Sequence, residues 1–136
     1  VAVLDGGLQE WKASGGTTES GEAPARTPGD FALRAPLVNL VDAGYVHKHL
    51  DSPLHTLIDA RAPERYRGEV EPLDAVAGHI PGALNRPFAS NLQDDGHFKS
   101  PAVLRAEFQA LLGTRTETTE VIHYCGSGVS ARVWGC

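Results

Sequence analysis

One stretch near the end of the chain has the residue types of a covalent catalyst. Val121 to Tyr124 is a short apolar run, and Cys125 follows it directly at the head of Cys-Gly-Ser-Gly-Val-Ser, residues 125–130. A cysteine reacts as its thiolate, so its surroundings must favour the charged form. Gly126 and Gly128 lack Cβ atoms, which lets the backbone curl and aim successive N–H groups at one point, forming an anion-binding nest. A helix starting near Ala131 would add the partial positive charge of its N-terminus and lower the thiol pKa without a partner histidine. Ser127 and Ser130 bring hydroxyl donors for a bound sulfur or anion. The competing reading is a buried structural cysteine in a glycine turn, since free cysteines are among the most buried residue types.

The elements that must position this loop are legible from pattern. Leu54 to Asp59, LHTLID, reads as a strand, and Pro63 to Arg67 as a single helical turn with proline near its start. Gly68 to Ala77 is acidic and irregular, and Gly78 to Ala83 is a turn-rich connector. Ser100-Pro101 opens the clearest helix, with Val103, Leu104, Phe108, Leu111 and Leu112 on one stripe and Gly113 as its stop. Asn39 is a candidate cap for a helix presenting Leu40, Val41, Tyr45, Val46 and Leu50, and Phe31 to Leu33 a short edge strand. Strand, helix, strand and glycine loop in this order predict an α/β fold, a central parallel sheet flanked by helices. In such a sheet ligands collect outside the carboxyl ends of the strands, where Cys125 would sit.

The 136 residues match one ordinary domain. With 41% hydrophobic and 21% charged residues the composition is that of a soluble globular protein, and no apolar run approaches the roughly 20 residues of a membrane span. A net charge of −5 argues against a nucleic-acid partner, which calls for a basic stripe. Two cysteines, Cys125 and the terminal Cys136, make a disulfide framework an unfavoured reading and point to a reducing compartment, the cytoplasm by default. No Cys-x-x-Cys or paired-histidine spacing suggests a metal. His79 reads as a hydrogen-bonded turn residue and His123 as a strand residue, with no motif asking either for acid–base work.

The start, Val1 to Gly7, reads as the end of a buried strand running into a glycine turn, followed by a short helix carrying Trp11. Residues 14–30, SGGTTESGEAPARTPGD, are too polar to order by burial. The expected organisation is the end of one domain over residues 1–16, a linker over 17–30, and a second domain over 31–136 that lacks its final elements. The absence of methionine at position 1 fits a piece of a longer protein.

Cys-Gly-Ser-Gly-Val-Ser after Val-Ile-His-Tyr resembles the active-site loop of rhodaneses, in particular its 3-mercaptopyruvate sulfurtransferase variant. LIDARAPERYRG resembles the strand and arginine-bearing turn of a catalytic rhodanese domain, AGHIPGALNRPF its central connector, and FKSPAVLRAEFQALLG the helix that follows. VLDGGLQEW resembles the motif closing the preceding domain of tandem rhodaneses, with Leu4 and Leu8 where aromatics are common. The resemblance implies a rhodanese-like domain and a sulfurtransferase. Cys125 would take sulfur from a small anionic donor as a persulfide and pass it to cyanide or a thiol, with no cofactor and with the N-terminal rhodanese domain as partner. It implies that the amides of Gly126, Ser127, Gly128, Val129 and Ser130 hold the thiolate and persulfide, and that Ser127 assists proton handling. Arg65 would bind the anionic donor, and Asp59 and Arg61 would organise the loop, Asp59 by accepting its hydrogen bonds.

Two departures leave the donor open between thiosulfate and 3-mercaptopyruvate. Leu73 stands where mercaptopyruvate enzymes carry a second arginine, and Gly126 and Ser127 stand where thiosulfate enzymes carry basic residues. A phosphatase would need arginine six residues after the nucleophile, where this chain has Ala131, with Arg132 one residue too far. The remaining alternative is a non-catalytic rhodanese module acting in protein interaction or regulation, against which Cys125 and Arg65 both argue.

Overall fold

The computed structural model describes residues 3–36, 38–115 and 120–131. Its elements run α1 (Gly7–Ala13), α2 (Ala43–Lys48), β1 (His55–Asp59), α3 (Pro63–Tyr66), β2 (Leu84–Asn85), a 3-10 turn (Phe88–Asn91), α4 (Pro101–Leu112), a second 3-10 turn (Gly113–Arg115) and β3 (Glu120–Tyr124). The three strands form one parallel sheet in the order β2-β1-β3, the α/β arrangement expected from the sequence.

β1 is central and covered on both faces, which is why HTLID reads as nearly continuous rather than alternating. Thr56, Leu57, Ile58 and Asp59 are all buried. Leu57 and Ile122 pair in register and join Ala83 in a core, onto which Val41, Tyr45, Val46 and Leu50 from around α2 pack together with Ile80 and Tyr124. The register also sets Asp59 beside Tyr124, so β1 and β3 end level and Cys125 leaves the sheet next to Ala60. The Ala60 amide donates to the Tyr124 carbonyl at 2.9 Å, locking the two exits together.

α2 starts at a different cap from the one expected. The Asp42 carboxylate, rather than Asn39, accepts the Tyr45 amide at 2.7 Å, and Leu40 is fully exposed instead of joining the apolar stripe. A carboxylate three residues before a free amide caps as well as an asparagine does, so the later start wins. α4 begins and ends where expected, with Ser100 accepting the Val103 amide and Gly113 terminating it at φ 58°. Leu104, Phe108, Leu111 and Leu112 are half-buried, while Val103 lies on the exposed side, at the edge of the predicted stripe. Arg86 holds the helix to the body, pairing with Glu107 and lying over the Phe108 ring at 4.7 Å.

Phe31 to Leu33 forms no strand, and Phe31 and Leu33 are exposed because no sheet edge meets them. Of the strand expected at the start, Val1 and Ala2 lie outside the described residues, and Val3 and Leu4 are exposed coil leading into α1. Residues 16–36 hold no helix or strand. The Asp5 carboxylate accepts the Phe98 amide at 2.8 Å, tying this first segment to the turn before α4. Cys136 and the helix expected after Ala131 also lie outside the described residues.

His123 on β3 carries a pH dependence. Burial pushes its imidazole down to about 4 from an ordinary 6.5, so folding favours the neutral ring. Its contribution is complete above pH 6.5 and is lost as pH falls through about 4. Thermal midpoints measured between pH 7 and pH 4.5 should fall more steeply for the wild type than for His123→Gln; parallel curves would assign the acid lability to other groups.

Candidate active site

β3 delivers Cys125 to the carboxyl edge of the sheet, and the loop after it folds back over the sulfur. The Gly128 amide donates to Cys125 Sγ at 3.1 Å and the Ala131 amide at 3.4 Å. Gly128 makes this return at φ 75°, in the left-handed region where a Cβ is strained. Burial pushes the Cys125 thiol up, but the amides of Ala131, Ser127, Gly128 and Ser130 together outweigh it and hold the thiol below its ordinary 9.

The opposite wall comes from β1 and α3. Asp59 is wholly buried at the strand end, and its carboxylate accepts the Arg61 amide at 2.9 Å and the Arg61 guanidinium at 2.8–3.1 Å. The hydrogen bonds expected from Asp59 to the cysteine loop thus go to Arg61, which is two residues away and offers a matched fork of donors. Arg61 also donates to the Gly78 carbonyl at 2.6 Å and to Glu71 at 3.3 Å. Asp59 is the first cause that holds the Arg61 guanidinium above its ordinary pKa.

Glu71 passes the chain on. Arg65 donates to it through Nε and Nη2, and Nη2 also reaches Asp74 at 3.3 Å. The Arg65 guanidinium approaches the loop closely with Nη1 foremost, since a Cβ built on Gly126 would stand 2.8 Å from that nitrogen. Gly126 is therefore needed for close approach as well as for turning. Arg65 holds the Glu71 carboxyl down at about 2 against the opposing effect of burial, helped by the amides of Leu73 and Asp74.

Cys125, Gly126, Ser127 and Ser130 share one hollow of about 170 Å³ with Arg61, Arg65, Leu73, Phe88 and Ala60 and Ala62. Val129 points away, with 69% of its surface exposed. A second hollow of about 380 Å³ opens on the other side of Cys125 and Gly126, lined by Asp74, Val76, His79, Ile80 and Tyr124. His79 is fixed there as a turn residue, donating from Nδ1 to the Tyr66 carbonyl at 2.6 Å and stacking on the Tyr66 ring at 3.7 Å. Among the described residues no group of three or more His, Cys, Asp or Glu side chains could hold a metal ion. No helix among them is long and apolar enough to cross a membrane.

Glu71 and Phe88 were not singled out by sequence reasoning. Glu71 sits in an irregular acidic stretch with no periodicity, and only the return of the chain past the strand end brings it between two arginines. Phe88 is placed by its amide, which donates to the Ala60 carbonyl at 3.2 Å and extends the β2 pairing beyond the strand. The aromatic after Arg-Pro was the one available signal.

The chain matches the rhodanese-like domain over residues 42–135. It is 49% identical over 131 residues to a protein of Pseudomonas aeruginosa named as a probable 3-mercaptopyruvate sulfurtransferase, covering 96% of this chain and 45% of that protein. It is 38% identical over 136 residues to the thiosulfate sulfurtransferase of Bos taurus, covering 96% of this chain and 44% of that one. The solved structure of SseA from Escherichia coli, described as a 3-mercaptopyruvate sulfotransferase with the rhodanese fold, superposes with a TM-score of 0.68. Identity there is 32%, over 98% of this chain and 48% of the other. The chain spans about half the length of the curated relatives it matches. Its matched segment takes in β1, the connector, α4 and the cysteine loop, and the chain belongs to the rhodanese family.

Proposed function

We propose that this chain carries the catalytic loop of a sulfurtransferase that loads a sulfur atom onto Cys125 as a persulfide and passes it to a thiol or cyanide. The observation that carries the reading is a half-buried sulfur receiving two backbone N–H groups at 3.1 and 3.4 Å, in a hollow it shares with Arg65. Preorganised donors of this kind favour the anion in both the thiolate and the persulfide state. Its relatives include proteins named as 3-mercaptopyruvate and as thiosulfate sulfurtransferases, so both donors belong to the reading. We assign residues 31–136 to the catalytic domain, 17–30 to a linker and 1–16 to the end of a preceding domain.

In the loading step the Cys125 thiolate attacks the outer sulfur of the donor. A sulfur–sulfur bond forms at Cys125, the donor's bond to that sulfur breaks, and the electron pair leaves with sulfite or with the carbon of pyruvate. The pyruvate carbon also takes the proton of the donor thiol, and we assign its relay to the hydroxyl of Ser127, which lines the same hollow as Ser130. Arg65 orients the anionic end of the donor. Attack by cyanide or a thiolate on the outer sulfur then returns the Cys125 thiolate.

Incubation with thiosulfate or 3-mercaptopyruvate, removal of excess donor and an intact-mass measurement should show one added sulfur atom, absent from Cys125→Ser. No adduct from either donor would favour the non-catalytic module. Alkylation of the Cys125 peptide, followed against pH by mass spectrometry, should give a midpoint below the ordinary 9. Gly128→Ala, which forces a Cβ into the left-handed region at a cost of about 1–2 kcal/mol, should move that midpoint up; an unmoved midpoint would remove the loop amides as its cause.

A further inference from the structure

The segment ahead of the linker has two unlike sides. Leu8 and Trp11 of α1, with Leu4 just before it, are exposed, as apolar residues are when the core they belong to lies elsewhere. Asp5, Gly6 and Glu10 instead meet the turn before α4, and that contact is polar. Asp5 Oδ1 accepts the Phe98 amide at 2.8 Å and the Gly6 amide at 3.1 Å. Gly6, at φ 75°, comes so close to the His97 imidazole that a Cβ built on it would stand 2.8 Å from Nε2. A side chain there would part the two surfaces.

The turn is held in shape by its own hydrogen bonds. Leu92 and Phe98 form an antiparallel bridge, the Gln93 amide donates to the His97 carbonyl at 2.7 Å, and the Lys99 amide donates to the carbonyl of buried Asn91 at 2.9 Å. On this turn the His97 imidazole stands between two carboxylates. Glu10 Oε2 of α1 lies 3.6 Å from its Nε2, and Asp95 Oδ1 of its own turn lies 3.2 Å from its Nδ1. A neutral ring carries a proton on only one of those nitrogens, whereas the imidazolium carries one on each and the charge that both carboxylates attract. Protonation therefore draws α1 towards the turn; loss of the proton leaves the hydrogen bond to Asp5 alone.

Resting on the assignment of residues 1–16 to the end of a preceding domain, we propose that the His97–Phe98 turn is the surface on which the catalytic domain holds that domain, a polar clasp that tightens when His97 takes up a proton. Asp5 supplies the part of the hold that does not depend on pH, and Glu10 the part that does. Gly6 gives the close approach that both need. The exposed Leu4, Leu8 and Trp11 remain on the side turned to the preceding domain's own core.

Hydrogen exchange followed amide by amide with NMR tests this. The His97 amide, which donates to Asp95 at 3.0 Å within the turn, is the internal control for damage to the turn itself. Asp5→Ala should speed exchange at Phe98 about tenfold, as loss of a hydrogen bond to a charged group does, and leave His97 unchanged. Glu10→Gln should speed Phe98 about twofold at about pH 6 and leave it unchanged at about pH 8, on either side of the range in which histidines titrate, the size expected of an exposed ion pair. Comparing variant with wild type at each pH cancels the intrinsic pH dependence of exchange. A Phe98 amide as fast in the wild type as in Asp5→Ala would overturn the clasp, and equal rates for the wild type and Glu10→Gln at both pH values would overturn its proton dependence. The same measurement on the full-length protein should show added protection of the α1 amides; protection no greater than in this chain would overturn the domain assignment and leave the contact between Asp5 and Phe98 standing.

Discussion

The grip of Asp59 on Arg61 is the constraint from which the site is built. Asp59 is wholly buried and the Arg61 side chain is 9% exposed, so neither charge is tolerable without the other. From that anchor the interactions run outward in order. Arg61 holds Glu71 and the Gly78 carbonyl, Glu71 holds Arg65, and Arg65 lies against Gly126 beside the sulfur. A buried ion pair of this kind adds little net stability, because desolvation offsets the attraction, but losing one partner costs about 3–5 kcal/mol. What the chain of charges supplies is position. Glu71, held down at about 2, stays ionised at any pH the protein would meet. Its contribution is lost only as pH falls from about 4.5 through 2, so titration does not loosen the arrangement near neutrality.

The parallel register does the second half of the work. Because β1 and β3 end level at Asp59 and Tyr124, the anchored guanidinium and the cysteine emerge side by side. The connector between them is pinned from both ends, with the Tyr66 hydroxyl donating to the Ala83 carbonyl at 2.7 Å and the Ile80 amide to the Tyr124 hydroxyl at 3.2 Å. Burial pushes the Tyr124 phenol up, which keeps that hydroxyl neutral and available as an acceptor. The loop therefore rests on a frame set by backbone hydrogen bonds and the buried ion pairs of Arg61 with Asp59 and Glu71, and the amides around Cys125 hold its thiol below the ordinary value.

Where local chemistry decides the outcome, the sequence was readable. The strand LHTLID, the proline-opened turn holding Arg65, the Ser100-to-Gly113 helix and the cysteine loop each carry their own signal in residue type and spacing, and each appears within a residue or two of its expected place. The loop chemistry was readable for the same reason, since glycine and hydroxyl residues act on the sulfur through adjacent backbone. Tertiary context decided the rest. Phe31 to Leu33 has strand-like residues and no strand to pair with, and Asn39 lost the capping role to Asp42. Asp59 was expected to reach the loop and instead spends its oxygens on Arg61. A carboxylate's choice among donors depends on which of them is close in space, and sequence spacing shows only one of the candidates.

The position of Cys125 between two hollows bears on how a sulfur atom could be passed on rather than merely taken up. A persulfide extends the side chain by one atom, and its outer sulfur must be reachable by an acceptor once the donor has left. The smaller hollow is walled by the committed arginines, Leu73 and Phe88, while the larger one is bounded by Val76, His79, Ile80 and Tyr124. Arg61, Cys125 and Gly126 line both. Asp74 stands on the rim of the second hollow while paired to Arg65 in the first. The acidic stretch that holds Arg65 at the first hollow therefore also shapes the second, and any change in its length or charge would alter both together.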